Sequence, residues 1–230
     1  MSSELLWTLL TIIGIDIVLG GDNAIVVALA CRNLPDHLRN KAIFLGILFA
    51  VVARGTLTVI AVQLLAVPYL MPIGGLFLVW IAFRLLKSSE DHTSLTTHTK
   101  VSEAIKTIVL ADVVMGFDNV IAVAGAADGN ATLVLAGLII SVPIIIWGSK
   151  IILYLMNKFP LIIYIGAAIL LYTAGKMILH EQDIVMFFQD HLFPVSYFIP
   201  ALIVISLTIA WLNNKIKGFE WVFFQVGKKK

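Results

Sequence analysis

Apolar residues run almost unbroken through seven stretches of this chain, at about 5–30, 41–65, 69–87, 104–127, 131–156, 160–179 and 194–212, with polar residues gathered in the short intervals between them. Each stretch is near the roughly 20 residues an α-helix needs to cross a bilayer. The expected fold class is therefore all-α: a polytopic membrane protein with seven transmembrane helices in one transmembrane domain spanning 1–230. No interval between the stretches is long enough for a separate soluble domain.

The stretches are not independent. Shifting the chain against itself aligns Asp16-Ile-Val-Leu-Gly20-Gly-Asp22-Asn23-Ala-Ile-Val-Val-Ala28-Leu-Ala30 with Asp112-Val-Val-Met-Gly116-Phe-Asp118-Asn119-Val-Ile-Ala-Val-Ala124-Gly-Ala126, and nine of the fifteen positions are identical. At a slightly different offset, Ile73-Gly74 through Arg84 matches Ile165-Gly166 through Lys176. The repeating unit is thus three helices long, with repeat one at about 5–87, repeat two at about 104–179, and an extra C-terminal helix at about 194–212. A unit that crosses an odd number of times starts its second copy from the opposite face, so the two halves should be inverted. Inverted 3+3 repeats are characteristic of secondary transporters, whose sites lie near the midplane, often at interrupted helices.

Composition agrees with a lipid solvent: 60% of residues are hydrophobic, 13% are charged and the mean hydropathy is +1.00, where soluble domains carry about 25% charged residues. With seven spans, thirteen of the sixteen Lys and Arg residues fall at one face: Arg32, Arg39, Lys41, Arg84, Lys87, Lys100, Lys106, Lys158, Lys215, Lys217 and Lys228 to Lys230. Only Lys176 falls at the other. The positive-inside rule makes the rich face cytoplasmic, giving a multi-pass protein of the cell membrane with its N-terminus outside and its C-terminus inside. The single cysteine, Cys31, excludes an intramolecular disulfide framework and a multi-Cys zinc site. Met1-Ser2-Ser3-Glu4 lacks a basic n-region, so the first helix is expected to remain in the mature chain.

Four of the fourteen acidic residues lie inside the spans, Asp16 and Asp22 in the first and Asp112 and Asp118 in the fourth. Each costs about 2.5–3.5 kcal/mol at a helix centre on insertion scales, which packing alone does not explain. Positions seven apart return to nearly the same helical face, while positions six apart differ by about 120°. Asp16 and Asn23 therefore share a face, as do Asp112 and Asn119. For Asp22 and Asp118 to join them the backbone must open, and a break is expected at Gly20-Gly21 and at Gly116, where glycine permits irregular dihedrals. The candidate metal ligands are Asp16, Asp22, Asn23, Asp112, Asp118 and Asn119. Hard oxygen donors of this kind suit Mg²⁺, Ca²⁺ or Mn²⁺ better than Zn²⁺ or Cu⁺, and no His lies in a span. A carboxylate alternating between proton and metal would give cation/proton antiport.

The competing structural explanation is charge pairing with Arg54 in the second span and Lys150 in the fifth, but two cations do not neutralise four carboxylates. Lys150 also stands near the cytoplasmic helix end, where it can snorkel outward. Arg84 and Lys176 read as snorkelling helix-end residues. The interval Ser88 to Lys100, with His92 and His98 beside Glu90 and Asp91, reads as a solvated loop, with a cytoplasmic metal sensor or gate as the alternative. His180, Glu181, Asp183, Asp190 and His191 give the interval before the last span an acidic outer surface.

The motif Gly20-Gly-Asp22-Asn23-Ala24 with Val26-Val27-Ala28, and its second copy Gly116-Phe-Asp118-Asn119-Val120 with Ala122-Val123-Ala124, resembles the signature of the TerC family of integral membrane proteins, over roughly residues 5–180. The resemblance implies a seven-helix core of the lysine-exporter type and manganese efflux at the cytoplasmic membrane, with links to tellurium resistance. It carries the same six Asp and Asn residues over as functional positions. The chain is similar to a short member, without the additional N-terminal helices of longer ones.

The expected function is export of divalent cations, manganese foremost, with Mn²⁺ as transported substrate rather than prosthetic group and the proton as candidate coupling ion. The bilayer is the expected environment, a homo-oligomer or membrane partner protein is compatible with the sequence, and nothing suggests nucleic acid. Enzymatic activity is not expected: an intramembrane aspartyl protease would need Gly-x-Gly-Asp, whereas Leu19 and Met115 stand three positions before each motif Asp. A scaffold subunit of a tellurium-resistance or secretion complex would not need midplane charges. Export of an organic solute would call for cationic groups, of which only Arg54 qualifies.

Overall fold

The computed structural model describes residues 3–19, 21–65, 67–86, 97–126, 131–191 and 194–227. Among them the chain is helical with short connections: α1 (Ser3–Leu19), α2 (Gly21–Cys31), α3 (Asp36–Leu65), α4 (Leu70–Leu86), α5 (Thr97–Ala126), α6 (Ala131–Lys158), α7 (Leu161–Ile178), α8 (Gln182–His191) and α9 (Phe198–Gly227), with a 3-10 turn at Val195–Tyr197 before α9. Over its described residues, each of the seven apolar stretches falls mainly on helix. Four segments, Asp36–Thr58, Thr132–Lys158, Leu161–Ile178 and Val195–Asn213, are long and apolar enough to cross a membrane by themselves. Trp7–Asp16 and Gly21–Cys31 make a fifth as a bent pair, and Leu70–Leu86 is a shorter apolar helix.

Local chemistry sets the boundaries. The first stretch divides at its Gly-Gly pair: α1 ends at Leu19, α2 starts at Gly21, and the two axes differ by 44°. The corresponding break expected at Gly116 does not occur, because α5 is continuous from Thr97 to Ala126. A single glycine in a helix forgoes little more than propensity, about 1 kcal/mol relative to Ala, and Gly116 is buried beside Arg54. Pro35 precedes α3, whose first-turn Asp36 pairs with Arg39. Phe159-Pro160 ends α6, and Pro160, at φ −56°, is already set for the first turn of α7.

Two intervals read as loops contain helix. α8 occupies Gln182–His191, where a polar outer loop was expected, because Ile184, Val185 and Phe188 supply a half-buried apolar side. α5 begins at Thr97, so His98 lies in its first turn, while His92 lies outside the described residues.

The main core joins α2, α3, α4, α5 and α7 with the C-terminal half of α6, through Val26, Leu29, Ile43, Ile47, Leu78, Ile81, Ile108, Met115, Leu153, Leu170 and Met177. α1 and α2 pack on α6, α3 packs on α5, and α4 packs on α7. The α4–α7 approach is close enough that a Cβ on Gly75 would stand 2.6 Å from the Ala174 carbonyl oxygen. Large apolar side chains such as Phe44, Phe49, Trp147, Ile151, Tyr154 and Val204 face outward, as a lipid-bathed surface requires.

Candidate functional site

Three ionisable side chains from three helices meet inside the bundle. Asp16 on α1, Arg54 on α3 and Asp112 on α5 are 0%, 4% and 9% exposed. The Arg54 guanidinium lies between the carboxylates: Nη1 donates to Asp16 Oδ1 at 2.7 Å, Nε donates to Asp112 Oδ2 at 3.2 Å, and Nη2 donates to Asp112 Oδ1. The planar fork of an arginine suits such bidentate pairing. Asp16 and Asp112 are equivalent positions in the two motif copies, so the repeat visible in sequence becomes a shared site in space.

With both carboxylates ionised, the group carries one negative charge more than it neutralises, and its acceptors are incompletely used. Among the described residues, Asp16 Oδ2 has no hydrogen-bond partner, nor do the side-chain oxygen and nitrogen of Asn23, which is 4% exposed. An unsatisfied buried polar atom costs about 1–3 kcal/mol, so such atoms in a native core call for an explanation in terms of water, ion or function. Asp16, Asn23, Arg54 and Asp112 line one cavity of about 20 Å³, closed by Val26, Val27, Ile47, Ile108, Leu138, Ser141 and Ile145. That volume admits about one water-sized particle.

Asp16 and Asn23 thus share a face, as their spacing predicts, even across the bend. Asp22 points elsewhere. It opens α2 beside the backbone amides of Asp22 and Asn23, where a helix N-terminus favours negative charge, and its Oδ2 accepts from Thr173 Oγ1 of α7 at 3.4 Å. The bend therefore does not bring Asp22 into the cavity with Asp16. Asp118 and Asn119 belong to α5, but their side chains lie outside the described residues. Among the described residues, no three His, Cys, Asp or Glu side chains cluster to hold a metal ion. What converges is two carboxylates, one amide and one guanidinium.

The family model described as the integral membrane protein TerC family matches residues 1–218. The chain belongs to the TerC family. It is similar to the uncharacterized membrane protein YjbE of Bacillus subtilis, 46% identical over 210 residues that cover 91% of this chain and 96% of YjbE. YkoY, an uncharacterized membrane protein of the same organism, is 29% identical over 196 residues, covering 73% of this chain and 60% of YkoY. The inner membrane protein YgdQ of Escherichia coli K12 is 27% identical over 188 residues, 74% of this chain and 79% of YgdQ. No solved structure matches the chain. This TerC protein is an integral membrane protein with several apolar helices.

The structure also sorts the remaining charges. Lys150 is exposed on α6 and does not neutralise the interior carboxylates. Arg84 is more than a helix-end residue: its Nη2 pairs with Glu103 of α5 at 3.2 Å, and its guanidinium lies 5.5 Å from the Trp80 ring centroid. Arg84, Lys100, Glu103, Asn33 and Thr107 line a second cavity of about 90 Å³ at the ends of α2, α4 and α5. Lys176 is exposed above Tyr172. At the opposite end Tyr69, at φ 61°, donates its backbone N–H to Glu181 at 3.1 Å and its hydroxyl to Asp183 at 2.9 Å. Sequence reasoning missed Thr173 and Ser141 as neighbours of the motif residues and Glu103 as the partner of Arg84.

Proposed function

We propose that this TerC protein exports divalent metal cations, manganese foremost, across the cell membrane through a midplane site built on the two motif copies. The observation that carries the reading is the meeting of Asp16 and Asp112, repeat equivalents, at one cavity where Asp16 Oδ2 and the Asn23 amide lack partners among the described residues. A buried carboxylate pair with spare oxygen donors offers a cation what an apolar bundle otherwise withholds. Asp22, Asp118 and Asn119 complete the proposed set as the cation moves along the motif helices. The oxygen donors accommodate Mn²⁺, Mg²⁺ and Ca²⁺ alike, and manganese is chosen from the resemblance of the motifs. Because these carboxylates also bind protons, exchange of metal for protons is the proposed coupling.

Seven crossings and an inverted repeat belong to the same proposal. Exchanging the two halves carries the packing of α1 and α2 on α6 into that of α5 on α3, carries α2 on α7 into α5 on α4, and leaves α4 on α7 unchanged. This correspondence supports a pseudo-two-fold relation between the halves. The Lys and Arg distribution supports an outside N-terminus and a cytoplasmic C-terminus.

A purely structural triad is the second reading, favoured by the three hydrogen bonds of Arg54. Expression in bacteria made manganese-sensitive by loss of their own exporter separates the two. Export predicts restored growth in Mn²⁺ and lower cellular manganese, both lost in Asp16→Asn and Asp112→Asn variants that still reach the membrane. Unchanged manganese content with the wild-type protein present would contradict it.

A further inference from the structure

The guanidinium of Arg54 occupies the oxygens that a cation would need. Asp16 Oδ1 and both oxygens of Asp112 accept its hydrogen bonds, leaving Asp16 Oδ2 and Asn23 Oδ1 as the cavity-lining side-chain oxygens without a partner among the described residues. A hard divalent cation takes about six oxygen ligands, so two do not hold it. Departure of Arg54 would release three carboxylate oxygens, and five protein oxygens plus one water make a full set. Arg54 therefore stands where the cation must go.

Resting on the cation-transport reading, we infer that Arg54 is a tethered cation that the transported ion must displace, and that this competition is what restricts the site to divalent ions. The charge balance gives the reason. A monovalent ion replacing Arg54 leaves the two carboxylates with the same one uncompensated charge and forfeits the charge-assisted bonds of the guanidinium fork. With the guanidinium moved out of the cavity, a divalent ion brings two charges to two carboxylates and leaves none of their charge uncompensated. Replacement by Mn²⁺ is thus favoured over replacement by Na⁺ by one whole charge in a desolvated cavity, where charge differences count most. Gly116, one turn beyond Asp112, presents no side chain to the guanidinium; a Cβ there would stand in van der Waals contact with it, 3.7 Å from Arg54 Nε.

The test is equilibrium binding of Mn²⁺ to the full chain in nanodiscs, with and without Na⁺, for the wild type, Arg54→Gln and Arg54→Lys. The expected result is Mn²⁺ affinity at least ~10-fold higher in Arg54→Gln, now suppressed by Na⁺ at concentrations that leave the wild type unaffected. Arg54→Lys keeps the charge but loses the fork, and should bind Mn²⁺ at an intermediate affinity. A folded Arg54→Gln that binds Mn²⁺ no more tightly than wild type, or ignores Na⁺, overturns the inference. If Arg54→Gln does not fold, Arg54→Lys decides: wild-type affinity overturns the inference, and tighter binding upholds it. Failure of the wild type and both variants to bind Mn²⁺, Ca²⁺ or Mg²⁺ overturns the cation-site reading itself, and this inference with it.

Discussion

Removing the guanidinium should harm folding more than removing either carboxylate, because the triad holds two negative groups and one positive. Arg54→Gln leaves two carboxylates facing each other in the core, and stripping the partner from a buried ion pair costs about 3–5 kcal/mol. Asp112→Asn leaves a neutral Asp16–Arg54 pair and weakens two charge-assisted hydrogen bonds, a loss of about 1.5–3 kcal/mol. Asp16→Asn weakens one and should cost less again. For a chain of this size 1 kcal/mol corresponds to about 2–4 °C in the unfolding midpoint, so the expected drops are about 6–20 °C for Arg54→Gln and about 3–12 °C for Asp112→Asn. The only cysteine, Cys31, is fully buried, so a maleimide that fluoresces on thiol reaction reports unfolding directly. The double variant Arg54→Gln/Asp112→Asn retains one carboxylate rather than two and should melt no lower than Arg54→Gln alone. Asp112→Asn melting as low as Arg54→Gln, or additive losses in the double variant, would refute the charge accounting.

Further consequences are open to simple measurement. Gly75→Ala places a Cβ 2.6 Å from the Ala174 carbonyl oxygen, so α4 and α7 must separate; overpacking of this kind costs about 1–3 kcal/mol, and thermal melting should show it. Native Cys31 should resist a water-soluble disulfide reagent until the protein is denatured; modification of the folded protein would contradict its burial. The Tyr69 phenol is pushed up by the hydrogen bond it donates to Asp183 and by the negative charge beside it. With the folded value raised, its contribution to stability is complete below the unfolded value near pH 10 and is lost as pH rises through the folded one. Ultraviolet titration should lose one late-ionising phenol in Tyr69→Phe, and in Asp183→Asn that phenol should ionise earlier.

Much of this architecture was legible because lipid leaves few options: a backbone in hydrocarbon must satisfy its own hydrogen bonds, so long apolar runs become helices. The bend at Gly20-Gly21 was readable, since two adjacent glycines weaken one turn twice over, whereas Gly116 gave the same signal in weaker form and the helix continued through it. The shared face of Asp16 and Asn23 followed from helical spacing. That Arg54 would bridge Asp16 and Asp112 did not follow, because it depends on how α3 lies against α1 and α5, and spacing within a helix says nothing of contacts between helices. Asp22 turning toward Thr173 was hidden for the same reason, and α8 was masked because its apolar run, Ile184 to Phe188, is short and flanked by polar and charged residues.

The central claim, that the motif carboxylates carry a divalent cation, is tested most directly by flux into proteoliposomes holding the purified protein under Mn²⁺, Ca²⁺ and Mg²⁺ gradients, with an internal pH dye reporting proton exchange. The expected result is Mn²⁺ flux with opposite proton movement in the wild type, abolished by Asp16→Asn and Asp112→Asn in protein that remains folded. Folded wild-type protein with no flux of any of the three ions, or undiminished flux in both variants, would contradict it.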